Sequence, residues 1–337
     1  MERASRESRL NWVDTAKGLG IVLVVIGHVV GGLVSADLMN WTPTVQFVEA
    51  WIYSFHMPLF FFLSGLFLSR SVGKSSLLEF MSDKVRVVAY PYIVWSTLTV
   101  LLKSALGSIP NTPRELSDLF LLAYHPIDQY WFLYVLFVLT IITGVLLRLV
   151  SPWLIIVIAI VAYPGILPVS TSETVLERIR ESGIYVGLGV IVGSSLLDQL
   201  SRCTVPLLVV LALAGLGLPA CGIAAGLPDM VPMLAISGTT GAVALALLLD
   251  RIRMASVVGF LGRYSLEIFV LHTMASAAMR VSLSIVGVRS PLLHFFAGSA
   301  AGILVPIALS SAFRMVGFQM AFAFPRPDQQ QPAARPL

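Results

Sequence analysis

Runs of about 20 apolar residues recur along the chain, and they constrain its fold more than any other feature. A helix of that length matches the thickness of the hydrocarbon core of a bilayer, about 30 Å. The composition agrees with this interpretation: 57% of the 337 residues are hydrophobic and only 12% are charged. A soluble domain carries about 25% charged residues. The sequence therefore predicts an all-α, polytopic membrane protein.

The apolar runs and the basic residues together predict a topology of about ten transmembrane helices. Most of the 22 Lys and Arg residues fall on the side that holds the N-terminus, which indicates that both termini are cytoplasmic. We expect a membrane domain over residues 1–324 and a disordered, Pro- and Gln-rich cytoplasmic tail over 325–337. The helices are predicted at residues 17–35, 44–68, 87–106, 130–150, 152–167, 183–197, 204–225, 231–249, 257–281 and 291–318.

The first apolar run, residues 12–31, carries ionisable residues that a lipid-facing helix would avoid. Lys17 and His28 are eleven residues apart, a spacing that returns to within about 20° of the same direction on a helix. Asp14 lies within about 40° of His28 by the same geometry. Ionisable groups in a transmembrane helix usually face a cavity or a partner. The stripe is either a functional site or a charged helix mouth with one buried, hydrogen-bonded histidine.

Two further predicted helices carry ionisable residues at membrane depth. His56 lies about a dozen residues into the second helix and is expected near the depth of His28, as a site residue or as a hydrogen-bonded core histidine. In the ninth helix, Glu267 and His272 follow Arg263. The spacing of four between Arg263 and Glu267 suits either an intrahelical ion pair or a site. Trp131 begins the fourth helix at the outer interface, where Trp is usually part of the aromatic belt.

A predicted cytoplasmic loop follows the second helix and contains Arg70, Lys84 and Arg86. Such a loop is basic in most membrane proteins because of the positive-inside rule. It also lies beside Lys17 at the mouth of the polar stripe. Clustered cations at that place would suit an anionic ligand such as a phosphate, because several charge-assisted hydrogen bonds can converge on it.

Five segments, in order along the chain, resemble motifs of the membrane proteins of acyltransferase family 3, in particular the fucose 4-O-acetylase-like branch. The first contains a basic residue, ten intervening residues and a histidine, here Lys17 and His28. Many members of the wider family have Arg at the first position, so Lys17 departs from them. The segments are WVDTAKGLGIVLVVIGH, FHMPLFFFLSG, KVRVVAYPYIVW, YWFLYVLF and LGRYSLEIFVLH.

The resemblance implies a membrane O-acyltransferase that takes an acyl group, usually acetyl, from cytoplasmic acetyl-CoA. The acceptor would be a hydroxyl of a cell-surface, exported or lipid-linked carbohydrate. On this interpretation His28 is the general base, while Asp14 positions Lys17 or neutralises its charge. His56 is a second acid–base group or polarises the thioester carbonyl. A covalent acyl-histidine intermediate remains open.

The resemblance also suggests binding roles for the other polar residues and a location for the protein. The cations Lys17, Arg70, Lys84 and Arg86 would hold the CoA phosphates. Weaker expectations make Trp131, Glu267 and His272 contacts of the acceptor. The family implies a bacterial inner membrane, with membrane lipids as surroundings, and homo-oligomers are left open.

Other functions remain compatible with the residues alone. Buried histidines and a basic mouth would also suit a transporter or flippase of an anionic or lipid-linked metabolite. A non-catalytic membrane subunit that binds a glycan-assembly complex is a third alternative. The two cysteines, Cys203 and Cys221, have no metal-ligand spacing, so we expect no metal, and the basic residues do not indicate nucleic acid.

Overall fold

A computed structural model describes residues 2–167, 174–196, 202–226 and 232–324, and these residues are helical with connecting turns. The predicted tail, residues 325–337, lies outside the described residues. The α-helices are α1 (Glu2–Val34), α2 (Pro43–Leu66), α3 (Leu68–Lys74), α4 (Leu77–Lys84), α5 (Tyr90–Leu106), α6 (Asp118–Leu121), α7 (Trp131–Leu146), α8 (Pro152–Ala162), α9 (Thr174–Ile191), α10 (Val205–Ala224), α11 (Pro232–Arg251), α12 (Ser256–Arg263), α13 (Ser265–Ile285) and α14 (Pro291–Met315).

The structure confirms the all-α, polytopic class. In the described part of the chain, eight helical segments are long and apolar enough to cross a membrane. The predicted fifth helix is only 11 residues long as α8. The predicted sixth helix begins earlier, at Thr174, so half of the outer loop expected at 168–182 is helical. The apolar run marks only the C-terminal, apolar part of α9. The first turns of α9 are charged, and hydropathy therefore does not report them as helix. The count of ten spans and the cytoplasmic termini stay predictions.

Helix α1 is the centre of the bundle. It packs against α2, α11, α12, α13 and α14. Its contact with α12 is close enough for backbone to meet backbone: a Cβ atom added at Gly18 would overlap the carbonyl of Val258, and one at Gly262 would overlap the carbonyl of Asp14. Small residues allow this approach in membrane helices. The polar stripe of α1 is thus enclosed by protein on several sides.

Helices α1 and α2 run antiparallel, which fixes the depth of each residue in the site. Going along α1, Gly20 meets Phe60, Gly27 meets Tyr53, and Gly31 faces Glu49. The first turns of α2 therefore lie beside the last turns of α1. Lys17 and Glu49 are at opposite ends of this helix pair, and His28 lies between them.

Two predicted elements differ in the structure. The predicted ninth helix is interrupted at Tyr264, whose backbone angles (φ −99°, ψ 14°) end α12 before α13 begins. The predicted basic loop is mostly helical, as α3 and α4. Helix α4 begins with a capping box in which the Ser76 hydroxyl and the Glu79 carboxylate each accept from the other residue's backbone N–H. A π-helical turn, Val85–Ala89, then joins α4 to α5 ahead of Pro91, which has no N–H to donate.

The connection before α7 is fixed by an ion-pair network. The Asp128 carboxylate accepts from Lys103 Nζ at 2.6 Å and from Arg114 Nη2 at 2.7 Å. Two residues after Asp128, the Tyr130 hydroxyl donates to the Val270 carbonyl of α13 at 2.9 Å. These contacts hold the start of α7, and therefore Trp131, in place against the bundle.

Candidate active site

His28 lies on α1 with one ring nitrogen already engaged. Its Nδ1–H donates to the carbonyl of Val24, one turn earlier, at 2.9 Å. In a neutral imidazole this leaves Nε2 as the proton acceptor. The side chain is partly exposed, unlike those of His56 and His272. His28 is therefore oriented by its own helix and remains accessible to a reacting group.

A second imidazole packs directly against His28. The ring of His272, on α13, meets the His28 ring edge to face, with centroids 4.9 Å apart and planes at 69°. His272 is fully buried, and its Nδ1–H is shared between the carbonyls of Ile268 and Phe269 at 3.0 and 2.8 Å. Its Nε2 is buried without a hydrogen-bond partner. The spacing in the sequence placed His272 in the membrane but gave no indication of this contact.

Tyr53 lies between the imidazole of His56 and that of His28. Its ring lies 6.3 Å from the His28 ring and 4.9 Å from the His56 ring, centroid to centroid. His56 is buried, and its Nδ1–H donates to the Ile52 carbonyl at 2.7 Å. The structure thus brings His28, His56 and His272 into one cluster with Tyr53. Sequence reasoning missed Tyr53, although its spacing of three from His56 places the two on one face of α2.

The other predicted residues of α1 are remote from His28: Lys17 lies about 16 Å and Asp14 about 21 Å along the helix. Lys17 Nζ is 3.7 Å from the Asp14 carboxylate, and both side chains are partly exposed. The pair forms the polar end of α1, next to α12. Asp14 therefore contacts Lys17 and is remote from the histidine cluster.

The predicted cationic residues lie on the segments that follow α2, at the Lys17 end of the bundle. Arg70 is exposed, while Lys84 and Arg86 are partly buried. Lys84 Nζ lies 5.3 Å from the centroid of the Phe80 ring, and the Arg86 carbonyl accepts from the backbone of Phe324 at 3.4 Å. Lys17 and these three residues all carry positive charge. These residues and Lys17 lie at the same end of the bundle.

Glu267 takes a different partner from the one that its sequence spacing suggested. Its Oε1 accepts from Arg314 Nη2 of α14 at 2.8 Å and from the Ser310 hydroxyl at 3.3 Å. Arg263 instead lies over the Phe260 ring, at 5.8 Å. The interruption at Tyr264 separates Arg263 and Glu267 into two helices, which is why the intrahelical pair does not form.

A cavity of about 630 Å³ opens between α2, α7 and α9 and runs along α2 from Gln46 to Phe61. Trp131 lines it, with the Arg178 guanidinium 4.2 Å from the centre of its ring. Tyr53 also lines it, so one side chain contacts both the cavity and the histidine cluster. Burial raises the pKa of the Glu181 carboxyl in the wall, and nearby Arg178 partly offsets that effect.

Comparison with known proteins identifies the family of this chain. The family model for the acyltransferase domain, acyltransferase family 3, matches residues 10–311. The chain belongs to this acyltransferase family. The match confirms the acyltransferase class predicted from the motifs, but it does not resolve the branch within the family. It covers every residue of the histidine cluster and of the cavity wall.

Two relatives share the sequence over part of their length. The chain is 32% identical over 171 residues to the nodulation protein NolL of Mesorhizobium japonicum, covering 49% of this chain and 43% of that protein. It is 27% identical over 168 residues to NolL of Sinorhizobium fredii, covering 49% and 44%. Each alignment thus spans less than half of the relative. No solved structure matches the chain significantly.

A metal site would need several His, Cys, Asp or Glu side chains that converge on one point. Within the described ranges, no group of three or more His, Cys, Asp or Glu side chains is arranged to hold a metal ion. The three imidazoles of the cluster each use Nδ1–H on a helix carbonyl. The groups that remain for chemistry are the second ring nitrogens and the hydroxyl of Tyr53.

Proposed function

We propose that this protein transfers an acetyl group from acetyl-CoA to a hydroxyl of a cell-surface, exported or lipid-linked carbohydrate. The membrane domain, residues 1–324, would act in the bacterial inner membrane with its Lys17 end toward the cytoplasm. Membership of the fucose 4-O-acetylase-like branch is part of this proposal. Family membership supports the acyltransferase chemistry; the donor, the acceptor and the roles of the residues are what we propose.

The observation that carries the proposal is the state of His28. It is an oriented, partly exposed imidazole in a membrane helix, with Nδ1 engaged by the Val24 carbonyl. A general base needs a free acceptor nitrogen and a fixed orientation toward the proton that it removes. His28 has both, whereas His56 and His272 are buried. His28 is therefore the base, and the other two imidazoles, with Tyr53, surround and position it.

The proposed transfer is a direct acyl substitution. His28 Nε2 takes the proton of the acceptor hydroxyl while the oxygen bonds to the thioester carbonyl carbon. The carbon–sulfur bond then breaks, and the leaving CoA thiolate takes the proton back from the imidazolium. The products are the acetyl ester and CoA thiol, with neutral His28 restored. No oxidant or metal is needed for this balance.

The cationic end of the molecule suits the donor. Lys17 and the residues after α2, Arg70, Lys84 and Arg86, would hold the phosphates of CoA. Charge-assisted hydrogen bonds to phosphate are stronger than neutral ones and persist at a partly exposed surface. Because His28 lies about 16 Å along α1 from Lys17, a donor bound there must extend its thioester arm into the bundle.

The decisive experiment measures transfer of radiolabelled acetyl from acetyl-CoA to glycans by the full chain in proteoliposomes. His28→Gln is compared with His125→Gln, which changes an exposed histidine outside the cluster. We expect His28→Gln to lower kcat by about 10²–10⁴-fold, the usual contribution of a general base. His125→Gln should retain the wild-type rate.

Three outcomes would count against the proposal. Wild-type activity in His28→Gln would remove His28 from the chemistry. Movement of a lipid-linked substrate across the bilayer without acetyl transfer would favour a transporter. Absence of both transfer and movement, with glycan-assembly proteins retained on the purified chain, would favour a binding subunit.

A further inference from the structure

We propose that the cavity between α2, α7 and α9 binds one neutral pyranose unit of the acceptor and selects against acidic sugars. This inference rests on the proposed function, because it assigns a place and a selectivity to the carbohydrate. The family-like segments contain Met57, Pro58, Phe61 and Trp131 of the cavity wall, and the rest of the wall lies outside them.

The position of the cavity suits the second substrate of a transfer reaction. Glu49 in its wall faces Gly31, which is fourteen residues, or about 21 Å, along α1 from Lys17. The cavity extends along α2 from this level past the histidine cluster to Phe61, and its carboxylate Glu49 is at the end remote from Lys17. Tyr53 is in the cavity wall and packs against His28 and His56. A ligand in the cavity therefore reaches the cluster without displacing a donor bound at the other end.

The size and the surfaces of the cavity fit a sugar ring. Its volume of about 630 Å³ lies within the 300–1,000 Å³ usual for small-molecule sites. Trp41, Trp131 and Tyr185 provide aromatic surface in the wall, and Gln46 and Ser54 provide polar groups. A pyranose presents apolar C–H faces and a rim of hydroxyls, so it uses both kinds of surface. Gln46 Nε2 donates to the Trp41 carbonyl and the Ser54 hydroxyl donates to the Trp51 carbonyl, so the oxygens of both side chains can accept from sugar hydroxyls.

The charges of the wall explain the selectivity. Among the wall residues that the structure describes, two are carboxylates, Glu49 and Glu181, and one is a cation, Arg178. That guanidinium already lies over the Trp131 ring, 4.2 Å from its centre. Carboxylates accept hydrogen bonds from sugar hydroxyls but repel a uronic acid. The wall therefore favours neutral sugars.

Binding can be tested without measuring acetyl transfer. Saturation-transfer difference NMR on the full chain in detergent detects weak sugar binding through the signals of the free ligand. The probes are the methyl glycosides of glucose, galactose, fucose and N-acetylglucosamine, with methyl glucuronide as the acidic counterpart. We expect saturation of at least one neutral glycoside and at least tenfold less of the glucuronide.

Matched variants assign the signal to the cavity. Trp131→Ala should abolish saturation of the sugar, while Trp153→Ala, at a tryptophan that is 63% exposed on α8, should leave it unchanged. Glu181→Gln keeps the size of the side chain and removes a negative charge. It should bring glucuronide binding to within about threefold of the neutral sugar, which is a gain that an unfolded variant cannot show.

The outcomes separate this inference from the proposed function. Sugar saturation that persists in Trp131→Ala, or selectivity unchanged in Glu181→Gln, would overturn the assignment of the cavity. No binding of any neutral glycoside to the wild type would also overturn it. If acetyl transfer persists in either case, the proposed function stands with an acceptor bound elsewhere. If the sugars bind as expected but no transfer occurs, the proposed function fails alone.

Discussion

The three clustered histidines show how a membrane helix prepares an imidazole for chemistry. Each donates Nδ1–H to a carbonyl one turn earlier on its own helix, with Val24, Ile52 and Ile268 as the acceptors. This bond satisfies one nitrogen internally and fixes the tautomer. What distinguishes His28 is exposure, since its ring is partly open while the other two are buried. On the proposed assignment, the same hydrogen bond to a helix carbonyl orients the base, His28, and the two buried histidines beside it.

His272 is expected to act through His28 as a positioning residue. Replacing it in His272→Asn removes the ring that packs edge to face on His28 at 4.9 Å. We expect kcat to fall on the order of tenfold or more, because small displacements of a catalytic group are costly. The KM for acetyl-CoA and the unfolding temperature should stay near wild type. An unchanged kcat would remove His272 from the site, and a parallel loss of thermal stability would make its role structural.

Lys17 is expected to act on the donor. Lys17→Met should raise the KM for acetyl-CoA about tenfold, which corresponds to about 1.4 kcal/mol of lost binding. The KM for the sugar should not change. Lys17→Arg keeps the charge and is the control, and it should bind the donor nearly as well as wild type. Equal donor KM values in Lys17→Met and wild type would assign Lys17 to the ion pair with Asp14 alone.

At the scale of helices, the close crossing of α1 and α12 holds the polar stripe in register. Gly18→Ala introduces a Cβ that overlaps the Val258 carbonyl, and neither backbone can yield locally. We expect a loss of about 1–3 kcal/mol in stability, typical of overpacking. The measurement is thermal unfolding in detergent, together with transfer activity.

Gly32→Ala, in the same helix, is the matched control. An added Cβ at Gly32 meets no atom within 4 Å, so this variant should be neutral or more stable by up to about 1 kcal/mol. Equal stability of the two variants would contradict the close crossing.

Helix existence could be predicted from the sequence because apolar runs of membrane length have few alternative folds. Helix ends could not, since hydropathy reports what lies in the bilayer rather than where the hydrogen bonding begins. The charged first turns of α9 and the short helices α3 and α4 were missed for that reason. The break at Tyr264 depends on how α12 packs against α1, which is a tertiary contact without a local signal.

The candidate site could be predicted only in part, because spacing within one helix is visible in the sequence and contacts between helices are not. Spacing along one helix placed Lys17 and His28 on one face of α1, and in the structure Lys17 pairs with Asp14 while His28 packs against His272. The contact of His28 with His272 joins residues that are far apart in sequence, and no periodicity reports it. Glu267 shows the opposite case: its spacing from Arg263 suggested an ion pair, and the actual partner is Arg314, from another helix.

The whole molecule has two chemically different ends with His28 between them. One end carries Lys17 and the cations after α2, and the aromatic, carboxylate-lined cavity runs from the other end along α2 as far as Phe61. Helix α1 joins them, and Tyr53 links the cavity to the histidine cluster. We expect donor and acceptor to approach from opposite faces of the membrane and to meet at His28. This arrangement would let a cytoplasmic donor modify a sugar on the other side.

The most direct test of this central claim is acetyl transfer across an oriented membrane. The full chain is reconstituted in proteoliposomes and sorted for one orientation by the accessibility of a C-terminal tag. Acetyl-CoA and glycan are then supplied on the same side or on opposite sides. The proposed arrangement predicts labelled acetyl-glycan only when acetyl-CoA is on the Lys17 side and the glycan is on the cavity side, and none in His28→Gln. Equal product with both substrates on the Lys17 side, or undiminished product in His28→Gln, would contradict it.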